Sequence, residues 1–133
     1  MKSSIASIVA IGIALLVIDL AWLGLVAAPI YNEALGPLRR SPVFWPAALS
    51  FYGMYVGVVF VYSVRRSTSV RDAARRGAEL GFVAYATYEL TNWAVLADWP
   101  AILVPIDIVW GVVLTTSVSV VGKWVYLKLQ PTD

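Results

Sequence analysis

The sequence contains no cysteine and no histidine among its 133 residues. The absence of cysteine excludes disulfide bonds, thiol catalysis and thiolate metal sites. The absence of histidine excludes haem ligation by an imidazole and catalysis by a Ser-His-Asp triad. Any functional site must therefore be built from carboxylates, amides, hydroxyls and aromatic side chains, which removes most familiar classes of enzyme.

Charged residues are scarce as well. They make up 14% of the chain, whereas an average soluble domain has about 25%. Hydrophobic residues make up 60%, which is more apolar surface than a soluble core of this size could hide. The net charge is only +2, and most of the arginines lie in one stretch between apolar runs. This pattern lacks the basic, aromatic-bearing face of a nucleic-acid module, so we expect membrane lipid and no nucleic acid as partner.

The apolar runs predict an all-α fold, an integral membrane four-helix bundle that forms a single domain over residues 1–133. The predicted helices cover about residues 5–28, 43–64, 77–97 and 101–122. A secretory signal has an apolar core of about 7–15 residues, and the first run is longer and has Asp19 deep inside it. We therefore interpret it as a membrane helix, which Pro29 is expected to end.

The distribution of basic residues predicts the orientation of the chain. Residues 65–76 contain five arginines, and a loop of this kind lies in the cytoplasm by the positive-inside rule. Four spans then place both termini in the cytoplasm, with Lys2, Lys123 and Lys128 on the same side as the loop. Only Arg39 and Arg40 lie on the other side. Glu79, one turn after Arg75 and Arg76, is expected to form an ion pair at the interface.

Three acidic residues lie inside the apolar runs: Asp19, Glu89 and Asp107. A rise of about 1.5 Å per residue places all three in the central-to-outer half of the bundle, where they could meet. A carboxylate at membrane depth costs about 2.5–3.5 kcal/mol on insertion scales, and no basic residue is available there to pair with it. Each acid must therefore be protonated, accept hydrogen bonds, or bind a cation.

Aromatic and amide side chains accompany these acids. Tyr85, Glu89, Asn92 and Trp93 share one helix face. A tryptophan also follows each aspartate by one turn, so its indole could donate to the carboxylate of its own helix or form an aromatic wall for a bound cation. The predicted ligand-binding residues are Asp19, Trp22, Tyr85, Tyr88, Glu89, Asn92, Trp93, Asp107 and Trp110. We predict no cofactor and no catalytic residue. If a metal binds, its ligands would be Asp19, Glu89 and Asp107.

Three other features have a structural interpretation. Pro105 is expected to distort helix four beside Asp107. Trp45, Trp99 and Trp124 have the positions of ordinary belt residues at the membrane interface. The Gly53-x-x-x-Gly57 spacing permits close helix approach and suggests an oligomer contact.

Five stretches resemble a family of small bacterial inner-membrane proteins catalogued as domain of unknown function 2177. They are D-L-A-W-L-G (19–24), P-I-Y-N-E-A-L-G (29–36), F-Y-G-M-Y-V-G (51–57), G-F-V-A-Y-A-T-Y-E-L-T-N-W-A (81–94) and D-I-V-W-G (107–111). The resemblance implies a four-helix protein that crosses the bacterial inner membrane several times. It implies no activity.

Three functions remain open from the sequence. The favoured one is a small transporter or binding protein whose acidic, aromatic cavity accepts a proton, a cation or an amphipathic cationic molecule, as a homodimer if a transport path is needed. The second is an accessory or structural subunit of a larger membrane complex. The third is a membrane-embedded, lipid-modifying enzyme, which is disfavoured because no phosphate-binding loop or nucleophile elbow is present.

Overall fold

A computed structural model describes residues 1–38 and 40–130. Every regular element in this part of the chain is helical. The four main helices are α1 (Lys2–Leu35), α2 (Trp45–Arg65), α3 (Val70–Val95) and α4 (Leu103–Lys128). A 3₁₀ turn, Gly36–Leu38, follows α1 at Gly36, whose φ is 43°. The prediction of an all-α chain with four helices is confirmed.

Three of the helices are long and apolar enough to cross a membrane, namely α1, α2 and α4. The fourth, α3, has 26 residues, which exceeds the roughly 20 that a span needs, but its first turns are charged. Membrane insertion of α3 therefore stays a prediction.

The prediction that Pro29 ends the first helix is wrong. The α1 rod continues to Leu35, and Pro29 lies in its last two turns. A proline ring normally clashes with the carbonyl four residues earlier. Here a π-helical stretch, Trp22–Ala27, comes just before Pro29, and its wider turn moves those carbonyls out of the regular ladder. The helix can therefore pass through the proline.

The basic segment 65–76 is not a simple loop, which corrects the predicted boundary. Helix α3 begins at Val70, and the Ser69 hydroxyl caps it by accepting a hydrogen bond from the Asp72 backbone N–H at 3.1 Å. The pKa of the Asp72 carboxyl is held below its usual range, first by the Thr68 backbone N–H and then by Arg76 and Arg75. The predicted pair between Arg75 and Glu79 is confirmed, with 2.6 Å between nitrogen and oxygen.

Helices α3 and α4 make the closest contact in the bundle, and glycines permit it. A Cβ on Gly77 would lie 2.6 Å from the Ser119 hydroxyl, and one on Gly81 would lie under 3.0 Å from the backbone of Gly111. Gly111 in turn faces the Tyr85 ring. One turn forward along α3, from Gly77 to Gly81, the contact moves back along α4, from Ser119 to Gly111. The two helices are therefore antiparallel, and their axes lie unusually close.

The Gly53-x-x-x-Gly57 pair of α2 has no such role within the chain. A Cβ on either glycine would meet no atom within 4 Å. Both glycines are exposed on the outer face of the bundle. The spacing that allows close packing is thus used by Gly77-x-x-x-Gly81 instead.

Polar bonds join the helices at the end of the bundle that carries the arginines. The Ser7 hydroxyl of α1 donates to the Gly122 carbonyl of α4 at 2.8 Å. The ammonium of Lys123, only 3% exposed, donates to the carbonyls of Val64 (3.2 Å) and Ser67 (2.6 Å). Helix α4 is therefore bound to α1 and to the turn between α2 and α3.

The apolar core lies between these polar bonds and the acidic residues. Its members come from α1, α2 and α4 and are all nearly inaccessible, among them Ile11, Leu15, Val59, Val64, Leu114 and Val118. Burying such side chains excludes lipid and water from the centre of the bundle.

Candidate functional site

Asp19 lies on α1 between two aromatic donors from other helices. The Tyr52 hydroxyl of α2 donates to Asp19 Oδ2 at 2.8 Å, and the Trp110 indole of α4 donates to Oδ1 at 3.4 Å. Each carboxyl oxygen thus has one partner. The carboxyl group joins three helices without any basic side chain.

The two tryptophans predicted to bond to the aspartate of their own helix do something else. Trp22 and Trp110 stack face to face with ring centroids 4.4 Å apart and planes 10° apart. Trp110 donates to Asp19 of α1 rather than to Asp107, and the Trp22 indole N–H is buried with no partner among the described residues. The indole–carboxylate bond therefore joins two helices, because stacking places both tryptophan rings in the α1–α4 interface.

Asp107 is buried near the start of α4, and it accepts a hydrogen bond from the Tyr31 hydroxyl of α1. The prediction that Pro105 distorts this helix is wrong, because α4 begins at Leu103 and Pro105 lies in its first turn. The N–H that proline lacks would have no helical partner there in any case. Tyr31 follows Pro29 in the chain, so its bond to Asp107 depends on the continuation of α1 beyond that proline.

Glu89 is the most enclosed of the three acids, with 0% of its surface exposed. The Trp99 indole N–H donates to Glu89 Oε2 at 2.9 Å. The other oxygen, Oε1, is buried and has no hydrogen-bond partner among the described residues. Trp99, interpreted from its position as an ordinary belt residue, thus has a specific partner as well, since its indole turns inward to the carboxyl group.

The helix register places Glu89 and Asp107 at one level of the α3–α4 interface. Tyr85 lies against Gly111, so one further turn along α3 reaches Glu89 and one turn back along α4 reaches Asp107. Within residues 1–38 and 40–130, no group of three acidic side chains is close enough to hold a metal ion. The three acids share a region, yet each has its own aromatic partner.

The remaining predicted residues divide into two sets. Tyr85 and Tyr88, together with Phe51, Tyr55 and Ala84, line a groove of about 260 Å³ between α2 and α3. Tyr88 also meets the Trp99 ring edge-on, with centroids 5.7 Å apart. Trp93, however, is 52% exposed and does not join Glu89, and Asn92 is only partly buried. The predicted face that joined Trp93 to Tyr85 and Glu89 is thus wrong for Trp93. Helix α4 begins at the level of Trp93 and does not cover α3 beyond it.

Three partners of the acids escaped the sequence analysis: Tyr31, Tyr52 and Trp99. Tyr31 follows Pro29, where the helix was expected to have ended. Tyr52 belongs to a helix whose many aromatic residues have no obvious order. The only signal for Trp99 was its distance from Glu89, ten residues along the chain, which a turn of the chain can close.

We expect the bond between Tyr52 and Asp19 to contribute measurably to folding. Replacing Tyr52 with phenylalanine and Asp19 with asparagine, singly and together, should give a coupling energy of about 0.6–1.7 kcal/mol. The free energy of unfolding in mixed micelles measures it. Tyr62→Phe, which loses only an exposed bond to Glu79, is the control. A coupling energy near zero would show that the two groups act independently.

Comparison with known proteins identifies a family for this chain. The sequence model of a protein family, described as "Predicted membrane protein (DUF2177)", matches residues 4–124. No curated protein and no solved structure matches the chain. The matched range contains all four helices up to Trp124 and all three acids with their aromatic partners, and the description agrees with the apolar helices. The chain therefore belongs to this family of predicted membrane proteins.

Proposed function

We propose that the protein binds or transports a proton, a cation or an amphipathic cationic molecule at Glu89 and its neighbours. The observation that supports this most directly is the state of Glu89 itself. The side chain is fully buried, and one carboxyl oxygen has no partner among the described residues. An unpaired buried carboxylate is strongly unfavourable, so a proton or a cation must complete the group.

The charges around the acids support the same proposal. The ion pairs found in the described chain all involve Arg75 or Arg76, at the far end of α3 from Glu89. Asp19, Asp107 and Glu89 instead accept bonds from neutral tyrosine and tryptophan donors. Such donors stabilise a carboxylate partly but leave its charge uncompensated. A positively charged ligand would meet no competing basic side chain there.

The groove between α2 and α3 indicates how a larger cation could approach. Its walls are mostly aromatic, and its volume of about 260 Å³ suits a small organic molecule. Aromatic faces attract cations by roughly 0.5–2 kcal/mol. Tyr88 lines this groove and contacts Trp99, which in turn holds Glu89. A ligand in the groove would therefore contact Tyr88, which is linked to the carboxyl group through Trp99.

The location we propose is the bacterial inner membrane, with both termini in the cytoplasm. The arginines of residues 65–76, Lys123 and the N-terminal segment lie at one end of the bundle, as the bonds from Lys123 and Ser7 require. This concentration of basic residues favours the cytoplasmic side. Asp19, Asp107 and Glu89 then lie towards the outer half.

Binding of tetraphenylphosphonium, an aromatic lipophilic cation, and proton flux provide the test. Protein in liposomes should bind the probe saturably, or should carry protons into liposomes that contain a pH-sensitive dye. Glu89→Gln and Asp107→Asn should lower either activity by about tenfold or more, which corresponds to about 1.4 kcal/mol. Glu79→Gln, an exposed acid at the other end of α3, is the matched control. The proposal is wrong if Glu89→Gln and Asp107→Asn both behave as the wild type.

A further inference from the structure

An apolar groove on the outer face of α2 ends at an arginine. The groove has a volume of about 430 Å³, and its floor is formed by Gly53 and Gly57, with Met54, Val61 and Tyr62 at its sides and Arg66 at its end. Side chains on the two glycines would fill it, because a Cβ at either position meets only open space. It lies on a different face of α2 from the core residue Val59.

The arginine end of the groove carries an excess of positive charge. Residues 65–79 contain five arginines and two acids. Both acids are engaged by Arg75 and Arg76, and the Arg76 guanidinium lies 5.7 Å from the centre of the Tyr62 ring. Arg66 is exposed and has no ion-pair partner within the described part of the chain. Its guanidinium is therefore free to bind an anion.

The length of the groove matches one leaflet of a bilayer. Arg66 follows Gly53 by thirteen positions, which corresponds to at most about 20 Å of helix because Val59–Arg65 is π-helical. One leaflet with its headgroups measures about 20–22 Å. With Arg66 at the headgroup level, the groove thus follows the path of an acyl chain through one leaflet.

We propose that this groove binds an anionic phospholipid, with its phosphate against the Arg66 guanidinium and one acyl chain along Gly57 and Gly53. Guanidinium and phosphate form bidentate hydrogen bonds, and the glycines let the chain lie directly against the helix backbone. A second copy of the protein fits the groove less well. A two-fold contact in the same membrane would bring the Arg66 side chains of both copies together.

The test uses the full chain in nanodiscs that contain phosphatidylglycerol and phosphatidylcholine with identical acyl chains. Native mass spectrometry then measures the lipids that stay bound. The wild type should retain phosphatidylglycerol in preference to phosphatidylcholine. Arg66→Gln should lower this preference by about tenfold, more than the roughly fivefold that follows from about 1 kcal/mol per surface cation.

Matched variants separate the groove from general attraction to the surface. Arg71→Gln removes another arginine that is exposed and unpaired in the described residues, and should have a smaller effect than Arg66→Gln. Gly57→Leu fills the groove without changing charge and should abolish the preference. Gly24→Leu, at a glycine of α1 that is equally open, should leave it intact.

Two results would overturn the proposal. The first is an equal loss of lipid preference in Arg66→Gln and Arg71→Gln, or in Gly57→Leu and Gly24→Leu. It would mean that lipid binds the protein surface in general and not this groove. A dimer that Gly57→Leu dissociates, with lipid retention unchanged, would assign the groove to a second copy. Circular dichroism of each variant shows that the helices remain folded.

Discussion

Replacing Gly81 with alanine should lower the free energy of unfolding by about 1–3 kcal/mol, the usual cost of overpacking, and leucine should separate α3 from α4. The added Cβ would lie under 3.0 Å from the backbone of Gly111 and 2.8 Å from the Thr115 hydroxyl. Backbone atoms cannot rotate out of the way as a side chain can. The two helices would have to move apart, and the level shared by Glu89 and Asp107 would open.

Gly57→Ala is the matched control for Gly81→Ala. Gly57 belongs to the same kind of glycine pair, but its Cβ would meet open space. Alanine is favoured over glycine in a helix interior by roughly 0.5–1 kcal/mol, so this variant should be unchanged or slightly stabilised. Unfolding by denaturing detergent, followed by circular dichroism, compares the two. Equal destabilisation would mean that close α3–α4 contact is not what Gly81 provides.

Replacing Lys123 with methionine should destabilise the protein by about 1–3 kcal/mol, because the carbonyls of Val64 and Ser67 would lose their donor while still buried. The ammonium also lies 5.3 Å from the centre of the Tyr126 ring. Methionine has a similar length, so the packing volume is nearly kept. The loss then reports the hydrogen bonds rather than a cavity.

The effect of Lys123→Met should be local as well as global. Hydrogen exchange should become faster in residues 65–69, the turn that the ammonium holds against α4. Lys128→Met is the control, since Lys128 is exposed and its ammonium lies 4.0 Å from the centre of the Trp124 ring. It should change stability by less than about 0.5 kcal/mol. If the two lysine variants are equally stable, the buried ammonium is dispensable.

Most of the fold could be predicted from the sequence because apolar runs of about twenty residues specify membrane helices directly. The failures have a common physical origin. Pro29 and Pro105 were both interpreted by the local rule that proline breaks a helix. One is accommodated by a neighbouring π-helical stretch, and the other lies in a first turn. Neither context is visible in the residues beside the proline.

The acids of the candidate site could be found from the sequence, whereas most of their partners could not. Buried carboxyl groups stand out in an apolar run because their cost is large. Their donors Tyr31, Tyr52 and Trp99 come from other helices or a turn, and aromatic residues are common in membrane proteins. Helix spacing predicted bonds within one helix, but the structure shows bonds between helices. Distances across the bundle depend on rotation and register, which a single sequence does not specify.

The central claim is that the second oxygen of Glu89 is completed by a proton or a bound cation. Infrared difference spectroscopy of the reconstituted protein tests it directly, since a protonated carboxyl group and a carboxylate absorb at different frequencies. The wild type should show a buried carboxylic acid band that Glu89→Gln removes, and raising pH or adding tetraphenylphosphonium should convert the band to carboxylate. A Glu89 band that changes with neither pH nor added cation would contradict the account, because the acid would then be a permanent structural group.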